Sequence, residues 1–293
     1  MLNPEQNHLH FRSSKKNGIA SHLASLIRLK NQTGTLLLAL PSMWALVLAS
    51  DGTPSPWLLL IFLFGAFIMR SAGVIMNDLA DQSLDRQIKR TKTRPLASKT
   101  LHPIHALVFL GCLLSVALFL LVFLNPLTRW LSPIALALAA FYPFTKRFFH
   151  LPQFFLGLAF GWGAIMAWAA TQNQLTLSAW LLFAATTFWA LAYDTIYALQ
   201  DRDDDVHVGV KSSAILFGSY VWLAVGIIEI LMIGILALVG SLENLNLAFY
   251  GGLAGLAGFL SQQVWRLRRE INPTEAFTTV SYTHLTLPTN REV

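Results

Sequence analysis

The chain is short of charge. Only 12% of its 293 residues are Asp, Glu, Lys or Arg, about half of the ~25% usual in soluble domains. Cysteine is almost absent. Cys112 is the only one, which excludes an intrachain disulfide and any cysteine-based metal site. The histidines, His150 among them, show no metal-ligand spacing. Acidic residues are scarcer than basic ones, 15 against 21. In a soluble chain the resulting +6 would suggest nucleic acid. Here 55% of residues are apolar, and the basic residues flank apolar runs, so a membrane reading replaces the nucleic-acid one.

A membrane-crossing helix needs about 20 mostly apolar residues. Eight candidate spans fall near 34–50, 57–77, 104–124, 131–145, 153–170, 177–199, 214–240 and 246–264. The expected fold is therefore an all-α polytopic membrane protein. The fourth span is short, and Pro143 is expected to end it early. Residues 1–30 read as a cytoplasmic N-terminal segment, and residues 1–20, with Lys15 and Lys16, lack the apolar core of a cleavable signal. Residues 31–272 read as the transmembrane domain, in two four-helix halves of about 31–150 and 151–272. From Pro273 the chain is polar, contains Pro288 and closes on Arg291 and Glu292, so 273–293 is not read as a further span.

Positive charge orients the bundle. With the N-terminus inside, 18 of the 21 basic residues fall on the cytoplasmic side and only Arg129 on the other; Arg70 lies within a span and Arg291 in the tail. Trp57, Trp130 and Trp180 at span ends fit interfacial anchors.

Against this apolar background, eight of the fifteen acidic residues fall in two short clusters. The first, NDLADQSLD, covers Asn77, Asp78, Asp81 and Asp85; the second, YDTIYALQDRDDD, covers Asp194, Tyr197, Asp201, Asp203, Asp204 and Asp205. Both lie at cytoplasmic ends of even-numbered spans. Asp81 and Asp85 are four apart, as are Asp201 and Asp205, and the pairs are 120 residues apart. Each cluster follows a charged residue inside its span, Arg70 or Asp194, seven positions upstream. This is a weak internal repeat, and sites in membrane proteins tend to form where repeats meet.

Positions three, four and seven apart share a helix face. Asn77, Asp81 and Asp85 are thus expected to form one stripe above Arg70, with Asp78 at its edge. Asp194, Tyr197, Asp201 and Asp205 should form another. Carboxylates are costly beside hydrocarbon unless paired, hydrated or metal-bound. Magnesium takes one or two carboxylates plus waters and substrate phosphates, so two facing stripes suit a pair of Mg²⁺ ions bridged by a diphosphate. Lys89, Arg90, Arg94, Lys146 and Lys211 lie on the same side and suit phosphate oxygens. Glu229 is a lone carboxylate in the seventh span that matches neither stripe.

These residues resemble the UbiA-type intramembrane prenyltransferases, which carry NDxxDxxxD after the second span and DxxxD after the sixth. The resemblance covers roughly residues 30–270. KRTKTRPLASKTL (89–101), YPFTKRFFHLPQFFLGLAFGWG (142–163) and the YDTIYALQDRDDD segment are similar to members that prenylate 4-hydroxybenzoate for ubiquinone. The resemblance implies a bundle of nine helices around a cavity open to lipid, of which the ninth is not evident here. It implies a bacterial inner-membrane enzyme working at the cytoplasmic face on polyprenyl diphosphate and 4-hydroxybenzoate. Asn77, Asp78, Asp81, Asp85, Asp201 and Asp205 would hold Mg²⁺. Lys89, Arg90, Arg94, Lys146 and Lys211 would bind the diphosphate. Arg70, Asp194 and Tyr197 would be the catalytic group, with Arg70 and Asp194 on the acceptor. Another aromatic acceptor remains an alternative, as does a transporter of divalent cations or organic anions. Against transport, the far side offers no ionisable path.

Overall fold

The computed structural model describes residues 18–269. The expected tail and most of the N-terminal segment, with Arg12, Lys15, Lys16 and Arg291, lie outside the described residues. Every expected span is a helix: α2 (Thr33–Ala49), α3 (Pro56–Ala80), α5 (Pro103–Leu121), α6 (Pro126–Thr145), α7 (Pro152–Gln172), α8 (Leu177–Ala198), α11 (Val221–Leu242) and α12 (Leu247–Arg269). Short helices join them: α1 (Ile19–Leu26), α4 (Gln82–Asp85), α9 (Arg202–Val208) and α10 (Ser213–Phe217). Five segments are long and apolar enough to cross a membrane on length and composition alone: α3, α5, α7, α8 and the stretch from α10 through α11.

Local sequence explains the boundaries. Pro56, Pro103, Pro126 and Pro152 occupy first-turn positions, where proline's missing N–H is not needed. Asn125 caps α6, its Oδ1 accepting from the Thr128 N–H at 2.9 Å, so α6 starts earlier than its apolar run. Pro143 does not end it: α6 continues through Pro133 and Pro143 to Thr145. Only two helical residues follow Pro143, so few intrahelical bonds depend on its position. The seventh span is interrupted. Gly218 has φ +52°, a conformation side chains resist, and it divides α10 from a 3₁₀ turn at Gly218–Tyr220 and then α11.

At the far end Arg129 donates to the carbonyls of Leu121, Val122 and Leu124 at 2.8–3.1 Å. It thereby satisfies groups the end of α5 leaves unpaired. Trp57, Trp130 and Trp180, near the starts of α3, α6 and α8, are 54%, 82% and 44% exposed, as interfacial anchors should be.

Helices α7 and α8 pack closely. Gly157 and Gly161 stand four apart on α7. A Cβ on Gly157 would lie 2.6 Å from the Thr187 carbonyl oxygen, and one on Gly161 would lie 3.0 Å from that of Phe183. Small residues at this spacing let membrane helices approach closely. Gly157→Ala is expected to force the two helices apart, because the obstructing atom is backbone. The loss should be on the order of 1–3 kcal/mol, the usual cost of overpacking. Thermal unfolding of the purified protein in detergent measures it, and an unchanged Tm would refute the close-packing argument.

Candidate active site

The helix ends that carry the two acidic clusters meet at one end of the bundle. Contacts between them prove the adjacency. Arg90 pairs with Asp201, Lys146 with Asp81, and the Lys211 N–H donates to the Lys146 carbonyl at 3.0 Å. Beneath lies a cavity of about 1600 Å³. Its charged rim includes Asp85, Arg90, Arg94, Lys146, Asp201, Asp205 and Lys211. Its walls are mostly apolar, drawn largely from α2, α3, α5, α6 and α7.

Neither cluster lies on an unbroken helix, as the stripe pattern had implied. α3 stops at Ala80, and Asp81 (φ −102°, ψ 8°) opens α4. α8 stops at Ala198, and Asp201 (φ −104°, ψ 0°) opens α9. The two aspartates thus share one backbone conformation. In both, the carbonyl accepts from the N–H four residues on, Asp85 or Asp205, at 2.8 Å. The weak repeat in the sequence is a repeated break in the structure. Beyond each break the second carboxylate of the pair, Asp85 or Asp205, lines the cavity.

Basic side chains are interleaved among the carboxylates. Arg94 Nη1 donates to Asp85 Oδ2 at 2.9 Å and to Asp78 Oδ1 at 3.1 Å. Arg28 Nη2 reaches the same Asp78 oxygen at 3.1 Å. Arg90 forks onto both oxygens of Asp201, with Nε to Oδ1 at 2.9 Å, and donates from Nη1 to the Tyr197 hydroxyl at 3.0 Å. Burial opposes the charge on Arg90, but the Asp201 fork holds it protonated, above its ordinary range. Burial lifts the Asp81 carboxyl against the pull of Lys146. Burial, and then Asp201, push Asp205 up to about 6.

Asn77, Asp85, Asp201 and Asp205 line the cavity, as do Arg70, Asp194 and Tyr197. Asp78 does not; it is buried under Arg28 and Arg94. Asp81 is fully buried and meets the cavity only through Lys146. Lys89 is exposed and lines no part of the cavity. Glu229 is buried on α11, also away from the cavity lining. Arg70 makes no hydrogen bond or ion pair among the described residues, so it is not balanced by Asp194. Arg28, Tyr142, Gln153 and Tyr193 also line the cavity. Arg28 had been legible only as topology, and the other three carried no spacing signal.

Among the described residues, no three Asp, Glu, His or Cys side chains stand close enough to hold one metal ion. The expected facing stripes are therefore not a ready-made cage. Like charges repel, and here Arg90, Arg94 and Lys146 separate them. The donors still suit a hard cation. They are all oxygen, and Asp81 Oδ1 is buried with no hydrogen-bond partner among the described residues. Magnesium commonly takes few protein ligands and completes its shell with water and phosphate.

An all-helical bundle with two acidic helix breaks over a greasy cavity defines an intramembrane prenyltransferase architecture, and the UbiA prenyltransferase family model matches residues 38–283. The chain belongs to that family and is an integral membrane protein. It is 47% identical over 239 residues to 4-hydroxybenzoate octaprenyltransferase of Cupriavidus metallidurans, covering 80% of this chain and 81% of that one. It is 48% identical over 247 residues to the protein of the same name from Serratia proteamaculans, covering 84% and 85%. A UbiA homolog from Archaeoglobus fulgidus bound to GPP and Mg²⁺ shares the fold, with a TM-score of 0.69 at 13% identity over 91% of this chain and 97% of that one.

Proposed function

We propose that the chain transfers a polyprenyl group from polyprenyl diphosphate to the carbon ortho to the hydroxyl of 4-hydroxybenzoate, a step toward ubiquinone, at the cytoplasmic face of a bacterial inner membrane. The observation that carries this reading is the meeting of both acidic breaks, interleaved with Arg and Lys, over one apolar cavity. The relatives named for this reaction support it.

Asn77, Asp81, Asp85, Asp201 and Asp205 are the residues we assign to magnesium, with two ions sharing the diphosphate. Asp78, locked by two arginines, sits behind them and orients Arg94. Bound magnesium supplies positive charge to the leaving diphosphate and fixes its position. Lys146 and Arg90 then exchange their carboxylate partners for phosphate oxygens, joined by Arg94 and Lys211. The apolar wall takes the polyprenyl tail. The allylic C–O bond breaks with its electron pair on the diphosphate, and the ring carbon forms the new C–C bond. Arg70 holds the acceptor carboxylate. Asp194 orients the phenol and accepts the ring proton at its carboxylate. Tyr197, bonded to Arg90, orients that arginine.

Membranes containing the protein should join labelled 4-hydroxybenzoate to a polyprenyl diphosphate only with Mg²⁺ or a comparable hard cation, because the ligands are oxygen. Exhaustive chelation should abolish turnover, and Mg²⁺ should restore it. Full activity after chelation would overturn the metal assignment. Uptake of Mg²⁺ or 4-hydroxybenzoate into vesicles without product would favour transport instead.

A further inference from the structure

Arg70 lies against the first turn of α2, and the residue it meets there is Gly34. A Cβ built on Gly34 would stand 2.8 Å from Arg70 Nη2 and 2.9 Å from Cζ, and closer still to Nε. Nε, Nη2 and Cζ of the guanidinium therefore stand in the space a side chain at position 34 would take. No partner holds it there, since Arg70 makes no hydrogen bond or ion pair among the described residues. The neighbouring acid Asp78 is committed to Arg28 and Arg94. A cation also gains nothing electrostatically at the positive, N-terminal end of a helix. What this place offers the guanidinium is room.

We propose that Gly34 is the positioning residue for Arg70. Its missing Cβ leaves the recess in which the guanidinium lies, and so decides where along the cavity wall an acceptor carboxylate is held. The inference rests on the reading of Arg70 given above and extends it to a residue that touches no reacting atom. Because the obstructing atoms are the far end of a flexible side chain, a Cβ at position 34 would move Arg70 rather than α2. Alanine is also the better helix former, so Gly34→Ala should fold.

The test is steady-state kinetics on wild type, Gly34→Ala, Arg70→Ala and the double variant, with each substrate varied in turn. Gly34→Ala should raise KM for 4-hydroxybenzoate about tenfold, the effect of weakening one charged hydrogen bond. Both kcat and KM for the polyprenyl diphosphate should stay near wild type. In the Arg70→Ala background the Gly34 change should add nothing, since coupled residues fail to be additive. An unchanged acceptor KM in Gly34→Ala, additivity in the double variant, or a rise confined to the diphosphate KM would each overturn the proposal. Gly34→Ser provides a second Cβ. If neither variant accumulates in membranes, Gly34 serves packing and the proposal falls. Absence of turnover by the wild type would instead overturn the proposed reaction itself, which separates the two failures.

Discussion

Asp81→Ala and Asp201→Ala are each expected to abolish prenyl transfer while the protein still inserts in the membrane. Each removes the carboxylate at one of the two matched helix breaks. Loss of an outer-shell partner at a metal site costs about 10–100-fold, so loss of a direct ligand should exceed that. A drop on the order of 10³ would be about 4 kcal/mol of transition-state stabilisation. The two variants should differ in how they tolerate the change. Asp81 is fully buried on Lys146, and its removal leaves that lysine without its carboxylate. Asp201 lies at the rim under Arg90. Asp81→Ala should therefore also lower thermal stability, and Asp201→Ala much less. Turnover at limiting Mg²⁺, together with membrane abundance, measures both effects. Near-normal turnover by either variant would refute the metal assignment.

Arg70→Ala and Arg90→Ala should fail in opposite ways. Arg70 is seven residues before Asn77 on α3, about 10 Å deeper at 1.5 Å per residue. It is unpartnered in the cavity wall, where an aromatic carboxylate needs a counter-charge. A hydrogen bond to a charged group is worth about 1.5–3 kcal/mol, so KM for the acid should rise roughly 10- to 100-fold. The diphosphate KM should move little. Arg90 sits on the rim, forked to Asp201 and bonded to Tyr197. Its loss should raise the diphosphate KM and leave the acid's nearly unchanged. Kinetics with one substrate varied at a time distinguish them. If Arg70→Ala weakened only the diphosphate, the two pockets would be inverted. If it changed neither, Arg70 would serve packing alone.

The helices were legible because hydrophobic runs of span length have few other uses. Their ends were less so. The starts of α6 and α11 depend on the Asn125 cap and on the positive φ of Gly218, which act over one or two residues inside apolar surroundings. The two acidic clusters, their spacing and their placement at one end were also legible. Charge asymmetry and the repeat fixed them without any contact being known.

The breaks at Asp81 and Asp201 were not legible, since spacing of four reads equally well as one face of a continuous helix. The partner of each carboxylate was also hidden. Arg28 with Asp78, Lys146 with Asp81 and Arg90 with Asp201 are 50, 65 and 111 residues apart, and such pairs exist only once the helices pack. The same holds for Gly34 under Arg70, and for Lys89, which basic composition grouped with the site and the fold leaves exposed. Local pattern thus determined the membrane class, the spans and the acidic ends, because periodicity and hydrophobicity act through neighbours in the chain. Which charge faces which, and where a guanidinium finds room, was decided by tertiary packing, because electrostatic pairing and steric fit depend on distance in space.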